Sequence, residues 1–179
     1  MILLVGASAS GKTEIAKCLR EEFHIVKAIT HTTRAMRVGE KNGVDYHFVS
    51  QEEFASLEKE GAFVETASYN GNHYGSSKAE VADDKVLIVE PKGLKAYLAL
   101  GDPRIVSFYL QASRATRENR MKSRGDKPEA ILSRLANDDI DFSEENLAKT
   151  DYVIATDTES VLDLSQKVYS LYLAKINSL

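Results

Sequence analysis

Short apolar runs alternate along this chain with stretches in which apolar residues recur every three or four positions. Residues 2–5 form a β-rich apolar run that breaks at Gly6, and a helical pattern follows from Lys12 to Phe23. Ile25 to Ile29 predicts a second strand. A polar stretch from Thr30 to Gly43 leads into Val44–Val49, whose alternation predicts a half-buried strand. Ser50, followed three residues later by Glu53, is a capping-box pattern, and Phe54 and Leu57 supply the apolar face of the helix it opens. Phe63–Tyr69 and the segment around Tyr74 flank Asn70-Gly71-Asn72, a hairpin turn in which Asn and Gly tolerate the positive φ required.

The second half has a different rhythm. Val86-Leu87-Ile88-Val89 is a continuous apolar run, as expected of a strand covered on both faces. A helix from Pro91 to about Leu100 follows, with proline in its first turn. Ile105–Leu110 predicts another strand, Ser113 caps a polar helix to Arg124, and Asp151–Ala155 predicts a last strand. Val161, Leu164, Val168, Leu171 and Tyr172 mark the apolar face of a closing helix. This order predicts an α/β protein with a parallel sheet flanked by helices, built from residues 1–31 and 76–179. Residues 32–75 are expected to insert into it as a small β-rich lobe.

Composition narrows the function. The 179 residues are 43% hydrophobic and 28% charged, enough for one core without disulfides. A net charge of −4 speaks against a nucleic-acid or anionic-membrane binder, so any phosphate site must be a local gathering of cations. Cys18 is the single cysteine, which excludes an intrachain disulfide and a cysteine metal site; its helical neighbours predict a buried filler. The opening apolar run is too short for a secretory core, and nothing approaches the roughly 20 apolar residues of a membrane span. The expectation is a cytoplasmic chain.

Gly6-Ala7-Ser8-Ala9-Ser10-Gly11-Lys12-Thr13 fits G-x-x-x-x-G-K-[ST] at every position, after a predicted strand and before a predicted helix. Small residues let the backbone wrap a phosphate with its N–H groups pointing inward, and the helix start adds its positive dipole end. Lys12 is placed to reach the outer phosphates of ATP, and the Thr13 hydroxyl to hold Mg²⁺.

Residues Thr32 to Ser50 carry a longer pattern. It is similar to the guanylate kinase motif TTR-x-x-R-x-G-E-x-x-G-x-D-Y-x-F-V-S, and Phe63-Val64-Glu65 and Gly71-Asn72-His73-Tyr74-Gly75-Ser76 continue the match. The chain thus resembles the guanylate kinase family of P-loop nucleoside monophosphate kinases along nearly its whole length. The resemblance implies ATP-dependent phosphorylation of GMP, with dGMP as a second acceptor. It implies that Arg34 and Arg37 fork onto the acceptor phosphate, that Tyr46 and Tyr74 add hydroxyl donors, and that Glu40 orients the arginines. It assigns Glu65 to guanine N1–H and the 2-amino group, donors that adenine lacks there, with Thr30 and Ser76 near the same edge. Taken singly, each of these would be an ordinary surface charge or strand aromatic; their joint spacing makes the case. Thr30 stands where the family more often has serine.

Arg114, Arg117, Arg120 and Arg124 are spaced by three, three and four, one face of a helix. Beside a phosphate loop such a stripe predicts a helical lid, about residues 112–148, that closes on ATP. The resemblance points to Arg120, Arg124 and Arg134 as the lid arginines acting with Lys12 and Arg34 in catalysis. The chain departs from the family at the end of the third core strand, where an Asp-x-Asp is usual: Ile88 takes the first place and Glu90 the second, leaving Glu90 for the acceptor and the metal. Thr156 stands where an asparagine often lies near adenine. Two further readings share these residues: a kinase of this fold with another phosphorylated acceptor, and a binding module with little catalysis. Monomer and homodimer are both open.

Overall fold

The computed structural model describes residues 1–179. Its centre is β1 (Ile2–Val5), every residue of which is buried. Because strand side chains alternate, β1 feeds two cores. Ile2 and Leu4 join Ile15, Leu19, Leu164, Val168 and Tyr172 on one face, while Met1, Leu3 and Val5 join Leu94, Tyr97 and Ile105 on the other. The first face is covered by α1 (Lys12–Phe23) and α6 (Val161–Ile176), the second by α3 (Pro91–Leu98). The remaining strands of this parallel sheet are β2 (Val26–Lys27), β7 (Lys85–Ile88), β8 (Val106–Gln111) and β9 (Tyr152–Ala155), in the order β2-β7-β1-β8-β9.

Between β2 and β7, which are neighbours, the chain leaves to build a second sheet. Its strands are β3 (His31–Thr32), β4 (His47–Phe48), β5 (Phe63–Tyr69) and β6 (Asn72–Ser77), in the order β4-β3-β6-β5, with α2 (Gln51–Lys59) beside them. The Ser50 capping box forms, with Ser50 and Glu53 each bonding the other's backbone N–H. Glu80, in the return connection, ties the two crossings together: it accepts from the Ile29 N–H at 3.0 Å and reaches Lys85 and His47.

Two strands are shorter than the pattern predicts. The Ile25 N–H goes back to the Leu19 carbonyl and ends α1, and that of Ile29 goes to Glu80, so Val26–Lys27 alone pairs. Val44 and Asp45 stay in a turn because Gly43 bonds Tyr46 and the Asp45 carboxylate takes the Lys41 N–H, leaving His47–Phe48 to pair. The helical segment after β8 is two helices, α4 (Arg114–Ser123) and α5 (Pro128–Asp141), held by Met121, Ile131 and Leu135. Cys18 is half-buried rather than buried.

Candidate active site

The phosphate loop runs from β1 into α1. A Cβ at Gly6 would lie 2.5 Å from the Leu110 carbonyl oxygen and 2.6 Å from Ser10 Oγ, so only glycine lets the loop leave the sheet this tightly. Gly11, at φ 101°, turns the chain into α1 in a left-handed conformation that favours glycine. Ala9 to Thr13 line a cavity of about 380 Å³, and Arg120 and Arg124 of the α4 end form its opposite wall. Gly6, Ala7 and Ser8 form the far side of the loop. The Lys12 ammonium folds onto the Gly6 and Ala7 carbonyls, and burial lowers its pKa, opposed by Glu90 and Asp138.

Asp138, which sequence reasoning passed over, and Thr156, which it set near adenine, brace this loop. Asp138 of α5 accepts from the Ser8 N–H and hydroxyl and from Arg117 at 2.8 Å. Thr156 is buried and donates its hydroxyl to the Ser10 carbonyl at 2.8 Å, and Arg120 bonds both Thr156 and Ala9. Position 156 is therefore a strut under the loop. The arginine stripe divides: Arg117 is buried against Asp138 and Arg114 pairs with Asp139, so neither faces the cavity. Arg134 is not at the cavity either; it stands half-exposed on α5 and meets Asp126 at 3.5 Å, as does Arg124 at closer range. A partner for Arg117 was the missed signal: an aspartate pair, Asp138-Asp139, on the facing helix.

A second cavity, of about 290 Å³, opens between the two sheets, and Thr30, Glu65, Tyr74, Ser76, Ile88, Glu90 and Lys92 are among its lining. Glu65 arrives through a bulge in the β5–β6 pairing between Phe63 and Glu65, which re-aims its side chain. Ser76, opposite, donates to Glu65 Oε1 at 3.4 Å. Burial pushes the Glu65 carboxyl up, opposed by that bond and by Lys92. Beyond Tyr74, whose ring lies 6.2 Å from that of Tyr46, sits a cationic cluster. Arg34 stacks on Tyr46 at 5.4 Å and is gripped by Glu40 through bonds of 2.7 and 3.1 Å. Glu40 also takes the Arg37 backbone N–H, and these bonds hold its carboxyl below the ordinary range. Arg37 itself is exposed.

Another cavity, of about 550 Å³, has walls in common with both. It is lined by Thr13 from the first and by Thr30, Leu87 and Ile88 from the second, with Lys17, Arg20 and Lys27 around it. Glu90, the N-cap residue of α3, makes no side-chain cap bond, and its charge is felt by both Lys12 and Glu65. The structure contains no group of three or more His, Cys, Asp or Glu side chains able to hold a metal by themselves.

A phosphate loop on a parallel sheet, arginines facing it from a helical hairpin and a second cavity set in an inserted sheet define a P-loop kinase of α/β fold. Within that class the guanylate kinase family model matches residues 1–170, and the chain belongs to that family. A guanylate kinase of Nitrosococcus oceani is 33% identical over 145 residues, covering 77% of this chain and 71% of its own. One from Alkalilimnicola ehrlichii is 34% identical over 158 residues, covering 84% and 77%. The crystal structure of guanylate kinase from Anaplasma phagocytophilum superposes with a TM-score of 0.62 at 26% identity, over 97% of this chain and 84% of that one. No helix here is long and apolar enough to cross a membrane.

Proposed function

We propose that this chain transfers the γ-phosphoryl group of ATP to GMP, and to dGMP, leaving ADP and the nucleoside diphosphate. The observation that carries the reading is the position of Glu65: a half-buried carboxylate in a cavity also lined by Tyr74, whose ring neighbours that of Tyr46, on which Arg34 stacks. A monophosphate with an N–H pair on its base matches that polarity, base inward and phosphate outward. Adenine presents no such pair, and a buried carboxylate facing it would lose its partners.

On the donor side, Ala9 to Thr13 would cradle the outer phosphates with their backbone N–H groups, and Lys12 would exchange its carbonyl contacts for phosphate oxygens. Arg120 and Arg124 would balance charge from the opposite wall. The acceptor phosphate is already anionic, so its oxygen attacks in line without a general base, and catalysis rests on positioning and charge neutralisation. Mg²⁺ takes few protein ligands when it rides on a nucleotide. The Thr13 hydroxyl and the Glu90 carboxylate, which makes no cap bond, would hold it, and the ion would supply positive charge that offsets that of the phosphates. The cavity through Thr13, Thr30 and Ile88 is the path across which the phosphoryl group would pass; Arg134 would have to be carried there by movement of α4 and α5.

The test is ADP production from Mg·ATP with GMP, dGMP, AMP, UMP or no acceptor. Turnover dependent on GMP and dGMP is expected. Equal rates with AMP would remove guanine as the base, and ATP binding without turnover on any acceptor would leave a binding module.

A further inference from the structure

We propose that Gly93 is a positioning residue for recognition of the acceptor's base: its missing side chain leaves the seat on which the Glu65 carboxylate rests. The inference rests on the reading of Glu65 given above. Gly93 lies in the first turn of α3, buried beneath the acceptor cavity that it also lines. A Cβ built there would stand 2.6 Å from both Glu65 carboxylate oxygens and 2.8 Å from the carboxyl carbon, closer than any real contact. The three atoms nearest to it all belong to this one side chain.

Nothing else about the position calls for glycine. Its φ lies outside the left-handed range, so alanine would fit the backbone and is the better helix former. Glycine here weakens a short helix, and the return is room for Glu65. The seat also joins the two sheets, because Glu65 comes from β5 of the inserted sheet and Gly93 from a helix of the core. Ser76 holds one carboxylate oxygen from the other side, and Tyr97, one turn beyond Gly93, is buried just behind this wall. The carboxylate is thus set between a hydroxyl donor, which holds one of its oxygens, and the bare helix backbone at Gly93. A methyl at position 93 would push it off its seat by about an ångström, a misplacement that costs on the order of a hundredfold in a reaction dependent on alignment.

The experiment is a double-mutant cycle on the whole chain: wild type, Gly93→Ala, Glu65→Ala and the double variant, each assayed for KM and kcat with GMP and with ATP, beside a thermal melt. Gly93→Ala is expected to raise the KM for GMP about tenfold or more while the KM for ATP stays within about twofold and the melting temperature does not fall. In the Glu65→Ala background the same substitution should change the GMP KM by less than about twofold, since the side chain it displaces is gone. An unchanged GMP KM in Gly93→Ala overturns the proposal. So does a loss that persists in the Glu65→Ala background, or one that extends to ATP, because either places the effect outside Glu65. If Glu65→Ala alone leaves GMP kinetics untouched, it is the reading of Glu65 as the base partner that fails, and that result is obtained without altering Gly93.

Discussion

Asp138 holds Ser8 twice, taking its backbone N–H at 3.1 Å and its hydroxyl at 3.2 Å, so a loop near the start of the chain is anchored from α5. The same carboxylate neutralises Arg117, whose side chain is 8% exposed. Asp138→Ala therefore removes a loop anchor and strands a buried guanidinium. Breaking one side of a buried pair costs about 3–5 kcal/mol, so the urea midpoint should drop sharply and the KM for ATP rise. A variant with wild-type unfolding and ATP kinetics would show that neither bond matters.

Glu65 is predicted to make acceptor binding pH-dependent. Burial lifts its pKa above the ordinary 4.5, and a protonated carboxyl cannot accept from two N–H groups. The KM for GMP should rise on acidification from pH values above 4.5, as Glu65 takes up its proton. The stability effect has the opposite sense: a raised carboxyl pKa contributes stability below the unfolded value and loses it as pH rises through the folded one. The acceptor's own phosphate also titrates, so the comparison is with Glu65→Gln, which should bind GMP more weakly and lose this component of the profile. Parallel profiles for the two proteins would dissociate Glu65 from the base.

Much of this architecture was legible because its signals are local. Alternation and periodicity marked β1, α1 and α6, and Ser50 with Glu53 announced the start of α2. The phosphate loop is contiguous, and Thr32–Ser50 carries its chemistry in one stretch. What escaped depends on contacts between distant residues. Arg117 and Asp138 are 21 positions apart, and whether an arginine on a stripe faces ligand or a partner is decided by the facing helix. Thr156 reads as a substitution for a contact to adenine, yet its hydroxyl bonds the Ser10 carbonyl 146 positions away. Gly93 looks like a weak spot in α3 until the bulge in β5 brings Glu65 over it. The lengths of β2 and β4 were overestimated because Glu80 takes the Ile29 N–H and the Lys41 carbonyl takes those of Val44 and Asp45, groups that a strand would have used.

The lid arginines should separate by position. Arg120 lines the phosphate cavity, whereas Arg134 is 50% exposed and bound to Asp126 at the margin. Arg120→Ala is expected to lower kcat by about a hundredfold or more, the loss typical of removing one donor to a reacting oxyanion. With α4 and α5 fixed as they stand, Arg134→Ala would cost less than about tenfold, or about 1.4 kcal/mol of barrier. A loss as large as that of Arg120→Ala would show that the helical hairpin closes during turnover and carries Arg134 inward.

Ile88 offers a test by restoration. It ends β7 at the junction of the acceptor and central cavities, 37% exposed, in the place where the family usually has a carboxylate. An aspartate there would not be buried, so Ile88→Asp should leave the melting temperature nearly unchanged. It would share the central cavity with Thr13 and add a second carboxylate to the two groups, Thr13 and Glu90, proposed to hold Mg²⁺. The expected result is a lower Mg²⁺ concentration at half-maximal rate, with the KM for GMP moving less. Lys17, Arg20 and Lys27 line the same central cavity and compete for the new charge. If they capture it, the Mg²⁺ requirement will not move, and Ile88→Asp combined with Lys27→Met should then release the effect. An unchanged Mg²⁺ requirement in both variants would place the metal away from the end of β7 and return the task to Thr13 and the phosphates themselves.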